Sequence, residues 1–171
     1  MSDRAEAAGQ PDPIAEAHRQ WVARGWGEAA DGMAAVTSIM RAQQLVLARV
    51  SDVLRPVDLT FARYEVLMLL LFSRAGALPL SKLGSRLQVH PTSVTSAVNR
   101  LESQGLVRRV AHPSDRRTTL AEITGPGREL ALHASEGLNK TVFTDPGIPA
   151  PRLGDLMSVL DAMRRRAGDM A

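Results

Sequence analysis

The sequence contains no cysteine. That single absence excludes disulfides, thiol nucleophiles, thiolate metal sites and thiol-based redox sensing. Long apolar runs are missing too. The longest, Val66 to Phe72, is seven residues, against the roughly 20 needed to span a bilayer. No basic stretch followed by an apolar one opens the chain, which predicts a cytoplasmic protein with no membrane attachment. The signatures H-E-x-x-H, G-x-S-x-G, G-x-G-x-x-G and the Walker loop do not occur. Gly125-Pro126-Gly127 opens a helix without the lysine that a phosphate loop needs. His18, His90, His112 and His133 are never three or four residues from one another. An enzyme is therefore not expected, nor a metal sensor or a cofactor. Lysine is almost absent, with two against 19 arginines, and guanidinium suits bidentate contact with phosphate and guanine.

What is present is globular in composition: 171 residues, 44% hydrophobic and 23% charged. That length fits one domain with an extension or a dimerisation arm. Its charge is uneven. Ser81 to Arg128 holds eight basic and three acidic residues, a net +5, whereas the remainder carries −2. This pattern describes either a polyanion-facing module on a neutral scaffold or a solvated charged face.

No internal repeat or low-complexity tract interrupts the chain, and four segments are expected. Residues 1–11 read as a flexible tail. Residues 12–58 read as N-terminal helices. The first is capped at Asp12-Pro13 and ends near Gly25 or Gly27; the second runs from Asp31 to Arg55 before Pro56. The apolar residues of this second helix occupy more than one stripe, so it needs cover on two sides, from a partner subunit or from the C-terminal helices. Residues 59–128 contain a helix from Thr60 to Ala75, a short extended piece, and a helix capped by Ser81 that reaches Leu87. They continue with a helix from His90-Pro91 to Gln104 and two β-prone runs, Leu106 to Val110 and Arg117 to Ile123. Residues 129–171 complete a helix capped by Thr124 and add a last one from Arg152 to Ala167.

Ser81 to Gly105 is a helix-turn-helix pattern. Leu80, Leu83 and Leu87 face Val94, Ala97, Val98 and Leu101, and Gly84 is expected where the crossing helices need a small side chain. The outer face of the second helix carries Thr92, Ser93, Thr95, Ser96, Asn99 and Arg100, almost without the Glu and Lys of an ordinary exposed face. Short donors and acceptors there suit a major groove: Asn can read adenine and Arg guanine. His90 at the helix start is read as a cap or a phosphate contact, and Pro91 and Ser81 are counted with it among the DNA-binding residues. The hairpin that follows ends in Asp115-Arg116-Arg117, a basic tip suited to a minor groove, with Asp115 expected to pair with Arg117. The fold expected is mainly α: a winged helix-turn-helix with a small β-hairpin wing and helical N- and C-terminal dimerisation segments.

In combination, Arg100-Leu101-Glu102, Gly105-Leu106-Val107, Asp115-Arg116-Arg117 and Ile123-Thr124 resemble the MarR family of bacterial winged-helix regulators, closely so from Thr60 to Arg128. The resemblance implies a homodimer, joined by its first long helix and its last, on a palindromic double-stranded DNA operator. Half-sites would lie roughly 34 Å apart. Arg117 would be the wing arginine and Asp115 its orienting acid. Many relatives release DNA when a small, often phenolic, molecule binds, so a repressor released by a small aromatic or anionic effector is expected, located at the nucleoid. The missing cysteine excludes thiol sensing here. The N-terminal helix bearing Trp21 is similar to that of urate-responsive members, and Glu65 stands where they carry aspartate. Trp21, Glu65 and Arg100 would then shape an anion-sensitive pocket; alternatively, Trp21 is an apolar anchor. The competing reading is a winged helix that contacts proteins and not DNA.

Overall fold

Helix starts in the computed structural model, which describes residues 12–115 and 117–169, follow local capping chemistry. The Asp12 carboxylate accepts from the Ile14 N–H at 3.0 Å and opens α1 (Pro13–Ala23), with proline in its first turn. Gly25, at φ 81°, turns the chain, and Trp26 folds back edge-on against Trp21 at 5.4 Å between ring centres. This sharp turn lets α2 (Gly27–Leu54) begin four residues before the expected Asp31.

The chain forms two compact units, divided at Ala48 and Arg49 within α2. In the first, the Trp21–Trp26 contact is joined by a bond between His18 Nε2 and Asp31 Oδ1 at 2.8 Å.

The second unit opens with the end of α2 and a 3-10 turn, Arg55–Val57. Thr60 caps α3 (Phe61–Phe72), its hydroxyl accepting from the Arg63 N–H. That helix stops three residues short of Ala75, because Ser73 is extended and its hydroxyl donates to the Leu70 carbonyl at 2.8 Å. The chain continues through β1 (Ala77–Pro79), α4 (Leu80–Leu87), α5 (Pro91–Ser103), β2 (Val107–Ala111) and β3 (Thr119–Ile123). It ends in α6 (Gly125–Leu138), which runs into a π-helical turn, and α7 (Leu153–Arg166). The three strands are antiparallel in the order β1-β3-β2, with Leu78 opposite Ala121 and Arg109 opposite Ala121 from the other side.

The core lies where α3, α4, α5 and α6 meet the sheet. Val66, Leu67 and Leu70 of α3 pack with Leu83, Val94, Val98, Leu101, Ala121, Ala131 and Leu138, all essentially sealed from solvent. Each buried Val or Leu side chain stabilises the fold by about 1.5–3 kcal/mol relative to exposure. This is the winged helix-turn-helix expected, flanked by N- and C-terminal helices. Among the described residues, no helix is long and apolar enough to cross a membrane.

Two further local expectations fail. Ser81 is not a cap: Pro79 occupies that position without a side-chain bond, and Ser81 lies inside the first turn of α4. Strand pairing runs to Pro79 opposite Leu120, so the helix starts as soon as the strand ends. Gly84 is not forced by the helix crossing, since an added Cβ would meet Val94 at 3.5 Å, an ordinary contact.

Candidate nucleic-acid interface

The sequence of α5 sorts its side chains by face. Val94, Val98 and Leu101 are buried, whereas Thr92, Ser93, Thr95, Ser96, Asn99 and Arg100 are all exposed. The buried stripe, at spacing i, i+4, i+7, anchors the helix and leaves its polar side outward. His90 is the cap, its Nδ1 accepting from the Thr92 N–H at 3.3 Å. In the neutral ring this leaves Nε2–H as an outward donor. The turn before it depends on Gln88, held in the left-handed region at φ 54° without being glycine. Sequence reasoning had no signal for that.

The outer face of α5 is flanked by two grooves. Ser81, Pro91 and Thr95 share one with Gly84, Ser85, Gln88 and Val89, a cleft of about 450 Å³. Thr92, Ser93, Ser96 and Arg100 line the other with Thr60 and Arg63, about 510 Å³. Apart from Asn99, which lines neither groove, the residues singled out on α5 and Ser81 at the start of α4 all line one groove or the other.

Charged neighbours restrict the two longest side chains. Arg100 Nη2 donates to Asp58 Oδ2 at 2.9 Å, and Gln104 Nε2 donates to the same oxygen at 2.7 Å. The Arg100 hydrogen bond is the main cause holding the Asp58 carboxyl below its ordinary value. Asp58 itself is left-handed, at φ 50°. At the other edge, Arg109 of β2 bonds Glu102 and reaches Asn99 Oδ1 at 2.5 Å. Asp58, Arg63, Gln104 and Arg109 were not singled out from the sequence, and Glu102 entered only through the Arg100-Leu101-Glu102 motif, because these contacts join separate elements.

The wing is β2 and β3 with the turn between them. Arg108 pairs directly across with Glu122, Nε to Oε2 at 2.9 Å. At the tip Asp115 does not pair with the Arg117 guanidinium. Its carboxylate accepts from the Thr118 hydroxyl at 2.6 Å and from the Arg117 backbone N–H at 3.0 Å, and the Thr118 bond chiefly lowers its pKa. Asp115 thus shapes the turn, while the exposed Arg117 side chain has no ion-pair partner among the described residues. Arg116 lies outside the described residues.

The expected effector pocket is only partly assembled. Glu65 lines a separate cleft of about 510 Å³ with Phe61, Tyr64, Met68, Phe72 and Arg86, and burial pushes its carboxyl up. Arg100 is not there: it belongs to the groove beside α5, tied to Asp58. Trp21 is half-buried against Trp26, an apolar pairing within the first unit. Arg86, absent from the sequence-based set, supplies the cation in the Glu65 cleft.

The model of the MarR family matches residues 59–119. Sco5413, a MarR family transcriptional regulator from Streptomyces coelicolor, is 48% identical in its solved structure; the match covers 82% of this chain and 97% of that one, with a TM-score of 0.74. The solved structure of a mutant MarR from E. coli, complexed with operator DNA, is 22% identical. That match covers 74% of this chain and 91% of the other, with a TM-score of 0.68, and shows likeness of fold alone. YhbI of Bacillus subtilis, an uncharacterised HTH-type transcriptional regulator, is 37% identical over 83 residues, 48% of this chain. The match spans 53%, about half, of that curated relative's length. Fold, motif and high identity across nearly all of the Sco5413 structure agree: the chain belongs to the MarR family, a family of transcriptional regulators and not of enzymes.

Proposed function

We propose that this protein is a sequence-specific regulator that binds a palindromic duplex operator as a homodimer, represses there, and is released by a small molecule. The observation that carries the reading is the outer face of α5: six polar side chains, all exposed, on a helix anchored by three buried ones. Beside it, the wing offers Arg117 on a turn shaped by Asp115. A helix of this kind fits a major groove, and an arginine-tipped hairpin fits the adjoining minor groove. The DNA-bound neighbour of the same fold supports this reading.

Residues 59–128 are the DNA-binding part, and residues 12–58 and 129–171 join two copies. The effector site is the Glu65 cleft. Phe61, Tyr64 and Phe72 suit a planar apolar body and Arg86 an anionic substituent, beside a Glu65 carboxyl that burial pushes up. Trp21 acts as an apolar anchor.

The test is selection of bound duplexes from a random-sequence pool by the purified protein, followed by a salt titration of the selected site. A palindromic consensus is expected, with affinity falling steeply as salt rises because phosphate contacts release counterions. Failure to bind any duplex at low salt overturns the proposal in favour of a protein-binding winged helix.

A further inference from the structure

We infer that Gln88 is a positioning residue: its side chain fastens the end of α7 to the turn of the helix-turn-helix, and so restricts the half-site spacing that a dimer accepts. The inference rests on the dimeric, operator-binding reading above and adds what narrows the spacing. Gln88 ends α4 and is left-handed, at φ 54°. Glycine and asparagine adopt that conformation most readily. A glutamine there carries a cost that its surroundings must offset.

The Gln88 amide is used at both ends. Nε2 donates to the Asp169 backbone carbonyl, and Oε1 accepts from Arg164 Nη2 at 3.3 Å. The chain beyond α7 builds this partner. Gly168, at φ 73°, turns the backbone, and the Asp169 N–H donates to the Arg164 carbonyl at 3.0 Å. The Asp169 carboxylate, brought back in this way, accepts from Arg164 Nε at 2.6 Å. Arg164 and Asp169 thus hold each other, and together they offer one donor and one acceptor to an amide that needs both.

The clasp matters because α7 is otherwise loosely covered. None of its residues is buried. Among the described residues, the side-chain hydrogen bonds that join α7 and the chain beyond it to the helix-turn-helix are those to Gln88. In a dimer joined through α7, the clasp is therefore part of the strut between the two recognition helices. One added base pair moves a half-site by about 3.4 Å and rotates it by about 35°. A dimer that follows the displaced half-site must open the clasp, so the clasp adds at most its own worth to the penalty.

The experiment uses the full chain and the palindromic duplex that it selects from a random-sequence pool. The duplex is resynthesised with one base pair added or removed between the half-sites, and fluorescence anisotropy gives the affinity at each spacing. Gln88→Asn shortens the side chain by one methylene and keeps a residue that tolerates the left-handed turn. Arg164→Ala opens the clasp from the other side. In the native protein an altered spacing is expected to cost about a hundredfold. In either variant that penalty is expected to shrink by about three- to tenfold, the worth of one or two ordinary hydrogen bonds. The double variant is expected to shrink it no further. Light scattering should still find a dimer, and affinity for an isolated half-site should be unchanged, since no strut acts there.

A native spacing penalty in either single variant overturns the inference, as do additive effects in the double variant. So does a variant that no longer dimerises or that loses affinity for the isolated half-site, because the residue would then hold the interface or touch DNA directly. Selection of no duplex, or a native chain that is monomeric, refutes the reading above and this inference with it; the other outcomes refute the inference alone.

Discussion

Among single residues, Arg117 and Glu65 make separable claims. Arg117 is exposed at the wing tip and Asp115 binds its backbone N–H, not its guanidinium, so the cation is available to a phosphate or a minor groove. Arg117→Ala is expected to weaken operator binding by about 1.5–3 kcal/mol, the value of a charged hydrogen bond, and to lower the salt slope by about one unit. Fluorescence anisotropy across a salt series measures both; unchanged affinity and slope would remove Arg117 from the interface. Glu65 is a matter of protonation. Desolvation raises its pKa in the folded state, so the folded protein binds more protons there than the unfolded chain, and stability falls as pH rises through that window. Glu65→Gln removes the penalty. It is expected to raise the unfolding midpoint at neutral pH, with the gain vanishing in acid, where both side chains are neutral. A gain independent of pH would show that burial of the carboxylate is not the cause.

Secondary-structure elements obey local chemistry, and packing then selects among their glycines. An added Cβ at Gly127 would run into the Leu106 backbone carbonyl, and Ile123 closes the space beside it. The entry of α6 therefore presses directly on the wing, fastened further by the Thr124 hydroxyl donating to the Gly105 carbonyl at 2.8 Å. Gly127→Ala is expected to cost about 3 kcal/mol, since backbone cannot yield as a side chain can. Gly84→Ala is expected to stabilise by about 0.5–1 kcal/mol, because its Cβ finds ordinary contact and a helical glycine is relieved. Thermal unfolding of the pair decides; equal losses would mean that both helices are equally crowded. The same contrast shows what was legible in the sequence. Asp12, Thr60, His90 and Thr124 were readable as helix starts because a cap acts over two or three residues. Ser81 misled because the end of β1 is set by pairing with β3, 41 residues away at Pro79 and Leu120. The outer face of α5 was legible from its period. Its restraints, Asp58 on Arg100 and Arg109 on Asn99, were not, since each joins elements that only the folded chain brings together.

For the molecule as a whole, the unsolved problem of a single copy is its outer helices. α7 places Leu153, Leu156, Met157, Leu160 and Met163 at helical spacing, yet none of its residues is buried, and Met157 is 54% exposed. A helix of 14 residues is marginal in water without tertiary cover. Along α2, Val36, Ile39, Met40, Val46 and Leu47 are likewise exposed. On the function proposed above, a second copy of this chain is the expected cover for α7, and such an interface would set the spacing of two recognition helices. Met157→Glu tests this with little cost to the isolated chain, where the side chain already meets water. Light scattering is expected to show a fall from twice 18.5 kDa to 18.5 kDa, with the melting of the winged unit preserved. Affinity for the full operator should drop by about 10²- to 10⁴-fold as the second half-site ceases to be an intramolecular contact, while affinity for an isolated half-site stays the same. If Met157→Glu remains dimeric with full operator affinity, α7 is not part of the interface, and its apolar stripe must be covered by something other than a second copy of this chain.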